Sequence, residues 1–186
     1  LKIGTSTLTG GTKLISRGKV EDIGRQILAL ADEYDIVLVS SGAIATARQY
    51  INIKDAGRLV ESKQALAAIG QPLLMRIYNE IFSDFGIRTA QCLMTYRDFE
   101  NETSRTNTLN TINELIKYGY VPEINENDTT AVEEIILGDN DKLSALVATL
   151  ISADLLVLAS DIDGVFDENP HLHLDAQHIP LIADIA

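Results

Sequence analysis

Between Val121 and Leu150 the chain reads VPEINENDTTAVEEIILGDNDKLSALVATL, and no other stretch limits the possible folds as much. A buried strand is expected over Val121–Ile124 and a polar loop over Asn125–Thr130. A short extended piece should follow, then a helix opening at Asp139-Asn140-Asp141. Leu143, Leu146, Val147, Leu150 and Ile151 recur at i, i+3, i+4, i+7 and i+8, which lays one apolar stripe along a helix. Two clusters of Asn and Asp therefore fall at the carboxyl end of a strand and at the amino end of a helix. Open α/β folds bind ligands at both kinds of place. The same residue types are favoured in turns and at N-caps, so either cluster alone is also compatible with simple chain punctuation. Their occurrence within sixteen residues of each other points to a site.

The rest of the chain supplies partners for this unit. Lys2-Ile3 reads as the end of a first strand running into a small, hydroxyl-rich turn, where a lysine suits a phosphate group. Ser16 is placed to cap a helix through about Glu33, with Val20, Ile23, Ile27, Leu30 and Ala31 on its inner face. Ile36 to Val39 is a continuous apolar run, as in a central parallel strand covered on both faces. It ends in Ser40-Ser41-Gly42-Ala43 before a short helix from Ile44 to Tyr50, a turn suited to receiving an anion, with Ser41 as a binding residue. Ser62 to Phe82 predicts a long helix with Leu66, Ile69, Leu73, Ile77 and Ile81 inside and a kink or break before Pro72. Ile87–Thr95 predicts a strand, and Thr103–Lys117 a helix turning Leu109, Ile112, Leu115 and Ile116 inward. Leu155–Ala159 predicts a last strand ending in Ser160-Asp161, with a turn at Asp163-Gly164. Strands alternating with helices predict a three-layer α/β/α sandwich around a mainly parallel open sheet. In such a sheet Lys2, Ser41, Asn125, Asp128, Ser160 and Asp161 fall along one edge.

Charge excludes some partners. Lys and Arg number 15 against 27 acids, a net charge of −12, which argues against nucleic acid and against an anionic membrane surface. The most membrane-like window, Leu143–Ala159, contains Asp154 and divides better into a helix and a strand. Cys92 is the single cysteine and lies in an apolar run, as expected of a reduced core thiol in a cytoplasmic protein. No signal peptide opens the sequence, which begins at Leu1 inside a strand, so further residues upstream are expected. No P-loop and no Gly-x-Ser-x-Gly elbow occur. His171, His173 and His178 with Asp175 could suggest a metal site, but a Pro-flanked, mobile stretch is expected there, and the acidic pair Glu133-Glu134 is read as a solvated face. No metal ligands are assigned.

Five blocks together resemble the amino acid kinase family, and within it the glutamate 5-kinases. They are Lys2-Ile3-Gly4-Thr5-Ser6; Ser40-Ser41-Gly42-Ala43-Ile44-Ala45; Ser62-Lys63-Gln64 with Ala67-Ala68-Ile69-Gly70-Gln71; Asn125-Glu126-Asn127-Asp128; and Gly138-Asp139-Asn140-Asp141 with Leu143-Ser144-Ala145. The resemblance runs over essentially the whole chain. It implies ATP-dependent phosphorylation of the γ-carboxylate of L-glutamate, the first step towards proline, with ATP and Mg²⁺ required and proline as feedback inhibitor. It implies that Lys2 touches the transferring phosphoryl group and that Asp141 organises the catalytic lysines. Ser41, Asp128 and Asn140, with Asn125 beside them, would hold glutamate, and Ser160 and Asp161 would border the nucleotide. A homo-oligomer, dimer or tetramer, is expected on the same ground. The family's kinase domain goes on to a Gly-rich loop and a second catalytic lysine that are not found before Ala186, and many relatives add a PUA domain. Residues 1–186 are therefore expected to be one kinase domain, incomplete at its carboxyl end. A non-catalytic module that binds glutamate or proline, or a kinase of another small carboxylate such as N-acetylglutamate or aspartate, remains an alternative.

Overall fold

Alternate side chains of a strand face opposite sides, and the run Val37-Leu38-Val39 is buried on both. Leu38 joins a core with Ile3, Val20, Ile27, Leu74 and Ile81, whereas Val37 and Val39 join another with Met94, Ile112, Ile124, Leu143 and Val147. A strand buried on both faces requires a helical layer on each, and the three-layer sandwich follows.

The computed structural model describes residues 1–51, 59–131 and 140–183. In chain order the elements are β1 (Lys2–Ile3), α1 (Thr5–Thr9), α2 (Arg17–Leu30), β2 (Leu38–Ser40), α3 (Ala43–Tyr50) and α4 (Val60–Ser83). They continue as β3 (Arg88–Met94), α5 (Tyr96–Glu100), α6 (Glu102–Lys117), β4 (Tyr120–Glu126), α7 (Asp141–Leu150), β5 (Leu158–Ala159), β6 (Val165–Phe166) and β7 (His178–Ile179). The main sheet has the order β3-β4-β2-β1-β5, and every pairing in it is parallel. Its register sets Ile3 opposite both Ser40 and Ala159, and Val39 opposite Ile124. Gly4, Ser41 and Ser160 follow their strands at one edge of the sheet, and Asn125 is the penultimate residue of β4 at that edge. Helices α2 and α4 supply Val20, Ile27, Leu74 and Ile81 to one face, and α6 and α7 supply Ile112, Leu143 and Val147 to the other.

Several boundaries differ from expectation. Asn125 and Glu126 belong to β4, because β3 extends to Met94 and pairs with it as far as Glu126. The predicted strand Leu155–Ala159 shrinks to Leu158–Ala159, where β1 is its partner. Helix α2 ends at Leu30, which is exposed together with Ala31, so neither lies on the inner face. Helix α4 runs through Pro72 without a break. Pro72 and Ala68, whose carbonyl the missing N–H would have met, are both exposed, so water can satisfy that carbonyl. Ile69 is likewise exposed and Leu73 only half-buried. Cys92 is half-buried on the edge strand β3 rather than deep in the core. The histidine-bearing stretch forms the antiparallel pair β6–β7. The predicted extended piece, Gly138, Asp139 and Glu133-Glu134 lie outside the described residues.

Candidate active site

Lys2 opens the two-residue β1 with its side chain only 7% exposed, and its Nζ lies 2.6 Å from Asp141 Oδ1. Space for that ammonium comes from Gly4, where an added Cβ would stand 3.4 Å from Nζ. Asp141 is the first residue of α7, where the helix dipole also favours a carboxylate. The buried lysine is thus neutralised at the amino end of a helix that points to the carboxyl edge of the sheet.

Asn140 precedes Asp141 at the N-cap position, yet its side chain makes no cap hydrogen bond. Its Nδ2 instead donates to the Ser40 carbonyl at 2.6 Å and to Asn125 Oδ1 at 2.8 Å. Asn125 Oδ1 also accepts from the Glu126 N–H, and Asn125 Nδ2 donates to Gln71 Oε1 on α4 at 2.8 Å. The ends of β2 and β4, the start of α7 and the middle of α4 are therefore tied by one buried amide network. Both ends of the Asn125 amide are thus engaged within the protein.

Ser41 is buried in the turn between β2 and α3. Gly42 takes φ of 100° there, a left-handed conformation that glycine adopts without Cβ strain. Asp128 sits half-buried in the turn beyond β4. Burial, and then the neighbouring Glu126 carboxylate, push its carboxyl up to about 6. Ser160 and Asp161 are exposed past β5 and border a crevice of about 1090 Å³ that Lys2 and Asp141 also line. The described lining holds five carboxylates (Asp141, Asp161, Asp163, Asp167 and Glu168) against one lysine, Lys2. A polyphosphate bound there needs added positive charge.

The predicted residues thus fall into two linked groups. Lys2, Asp141, Ser160 and Asp161 share the crevice, Asn125 and Asn140 share the amide network, and Ser41 follows the strand end that Asn140 grips. Gln71 and Ser40, within quoted blocks, and Glu123 had no assigned role; Glu123 accepts a hydrogen bond from Ser40 Oγ inside the sheet. An amide or an acid among apolar residues was the available signal. Among the described residues no group of three or more His, Cys, Asp or Glu could hold a metal ion. His173 contacts Glu168, and His178 packs on Phe166. No described helix is long and apolar enough to cross a membrane.

The sequence pattern of the amino acid kinase family matches residues 1–185. The chain is 44% identical over 187 residues to a glutamate 5-kinase of Caldanaerobacter subterraneus, covering all of this chain and 50% of that protein. It is 45% identical over 185 residues to a glutamate 5-kinase of Helicobacter hepaticus, covering all of this chain and 69% of that one. The chain therefore spans about half the length of the first of these relatives and about two thirds of the second. Among solved structures, one of isopentenyl phosphate kinase superposes with a TM-score of 0.66 at 18% identity, covering 98% of this chain and 79% of that one, which establishes the shared fold.

Proposed function

This chain belongs to the amino acid kinase family, and from that premise we propose that it is the amino-terminal part of an ATP-dependent kinase of the γ-carboxylate of L-glutamate. The observation that carries the reading is the junction at the start of α7. Asp141 pairs with Lys2 in the crevice, while the adjacent Asn140 is anchored to the ends of β2 and β4. One helix start thus couples a place for phosphate to a place for an amino acid.

The chemistry asks little else of the protein. A carboxylate is already a nucleophile at neutral pH, so no general base is needed. The obstacle is the approach of two anions: like unit charges ~4 Å apart at an effective dielectric of about 20 repel by ~4 kcal/mol. Uncompensated, that is worth roughly a thousandfold in rate. Positioning and positive potential overcome it, and in this reading Lys2 faces the transferring phosphoryl group while Asp141 holds the ammonium in place. Ser41, Asp128 and Asn140 take the glutamate, and Ser160 and Asp161 border the nucleotide.

Mg²⁺ fits as a companion of the nucleotide rather than of a protein cage. The described residues offer no cluster of three ligands, and Mg²⁺ commonly uses one or two carboxylates plus substrate phosphates. Asp141 and Asp161 are the carboxylates we assign to it, where it would offset negative charge. Proline as feedback inhibitor, a homo-oligomeric state and a cytoplasmic location belong to the same reading by family resemblance. The test is Mg·ATP-dependent formation of γ-glutamyl hydroxamate by the full-length protein, with a panel of acceptor amino acids beside glutamate. Measurable glutamate binding with no product would favour a non-catalytic binding module. Product with another acceptor alone would reassign the substrate.

A further inference from the structure

We infer that Gln71 is a positioning residue for the amino-acid end of the crevice: its side-chain oxygen takes the Asn125 amide N–H and so locks in place the acceptor that Asn125 offers to Asn140. The inference rests on the carboxylate-kinase reading above.

The two ends of an amide differ in what they can do, one donating and one accepting, so the direction of an amide chain must be set by groups of known polarity. Two backbone groups do this. The Glu126 N–H donates at 2.9 Å to Asn125, so the atom it meets is the oxygen. The Ser40 carbonyl accepts at 2.6 Å from Asn140, so the atom it meets is the nitrogen. With both ends set, Asn140 Nδ2 donates to Asn125 Oδ1, and Asn125 must turn its own Nδ2 towards Gln71. There Gln71 Oε1 receives it at 2.8 Å.

Among the described residues two atoms of this network have no hydrogen-bond partner: Gln71 Nε2 and Asn140 Oδ1. Gln71 is 7% exposed and Asn140 is 0% exposed, so both atoms are shielded from bulk solvent. The leftover atom of Asn140 is an acceptor because its nitrogen is used twice within the protein. An acceptor is what the ammonium of an amino acid requires. Without Gln71 Oε1, the buried NH₂ of Asn125 has no acceptor, and rotation of that amide to find one withdraws Oδ1 from Asn140. Asn140 then keeps only its bond to the Ser40 carbonyl, and its Oδ1 is aimed less firmly. Gln71 itself cannot drift, because Gly70 sets α4 directly on the Ala43 carbonyl at the start of α3, where an added Cβ would lie 1.8 Å from that oxygen.

The test compares Gln71→Met with Gln71→Glu in the full-length protein, by steady-state hydroxamate formation. Met matches Gln in length but offers no acceptor, whereas Glu keeps an oxygen for Asn125 in either protonation state. For Gln71→Met we expect the KM for glutamate to rise about tenfold or more, with kcat and the KM for Mg·ATP within about threefold of wild type. For Gln71→Glu we expect the KM for glutamate to return to within about threefold of wild type. A residue that only fills space gives the opposite order, tolerating Met and rejecting Glu. An unchanged KM for glutamate in Gln71→Met, or equal impairment of both variants, overturns the inference. Should Gln71→Met fail to fold, Gln71→Glu decides alone: retention of glutamate affinity supports the inference and a rise of about tenfold overturns it. A wild-type protein that makes no product from glutamate removes the kinase reading and this inference with it. Product in the wild type with the wrong variant pattern removes the inference only.

Discussion

Burying a lysine is costly unless its charge is met, and the pair Lys2–Asp141 at 2.6 Å meets it where phosphate would arrive. If both residues act on the transferring group, Lys2→Ala and Asp141→Ala lower kcat about a hundredfold or more while shifting the KM for glutamate by no more than about threefold. Comparable losses in kcat and in glutamate affinity would assign them to binding alone. Glu123 is a second buried ionisable residue, with 0% exposure, and its carboxyl is pushed up to about 7 by burial, against an opposing effect of the Ser40 hydroxyl. Burial first and Glu123 second also raise the Tyr78 hydroxyl and the Cys92 thiol. The linkage has a definite sign. Below the ordinary value of 4.5 the group is neutral folded and unfolded; above it the unfolded chain ionises first, so stability falls as pH rises through about 7. The loss is on the order of 3 kcal/mol, and Asp128 adds a smaller loss of the same sign. Glu123→Gln should therefore raise Tm at about pH 8 more than at about pH 5.5, flattening the dependence; parallel curves for variant and wild type would refute the assignment. Lys2, Asn125, Asn140 and Asp141 were legible in the sequence because they crowd at strand ends and a helix start, where polar residues have few structural excuses. Gln71 and Glu123 were not, because apolar periodicity absorbs a single polar residue without changing the pattern it reports.

At the scale of elements, the turn after β2 is held by the contact between α3 and α4. Gly70 makes that contact possible, since a Cβ there would meet the Ala43 carbonyl at 1.8 Å and the Ala47 nitrogen at 3.0 Å. Both obstacles are backbone, so no side chain can move aside. Gly70→Ala should cost about 3 kcal/mol or more, displacing the Ser41-Gly42 turn as α3 shifts. Gly86 is the contrasting case, with φ of 71° and nothing within 4 Å of an added Cβ. Gly86→Ala should cost about 1 kcal/mol from backbone strain alone. Urea denaturation midpoints of the two variants test this; similar shifts would mean that the helix contact is softer than its geometry implies. Helix α7 and strand β2 were legible because burial on a fixed face writes its period into the sequence. Short α1 and α5 were not, since five-residue helices carry no period. The persistence of α4 through Pro72 could not be read either, as it depends on which side of the helix meets water.

For the whole molecule, the distribution of the core divides the crevice into a firm side and a soft side. Among the described residues every buried apolar side chain lies between Ile3 and Val147. Beyond them Leu155, Leu172, Leu174, Leu181 and Ile182 are each more than half exposed. Strand β5 has two residues and one partner, and the β6–β7 pair joins only two residues from each strand. Lys2, Asn125 and Asn140 therefore stand beside this core, whereas, among the described residues, those at 161–171 of the opposite wall have little buried area beneath them. Hydrogen exchange followed by mass spectrometry on the full-length protein should find amides of β1, β2 and β4 slow and those of residues 161–183 fast. Adding Mg·ATP should slow exchange at 161–171 more than in β4, because a ligand protects most where local opening was cheapest. Equal protection of 161–183 and β4 without nucleotide would show that this wall is covered and firm. A nucleotide effect confined to the sheet would place the phosphate site elsewhere.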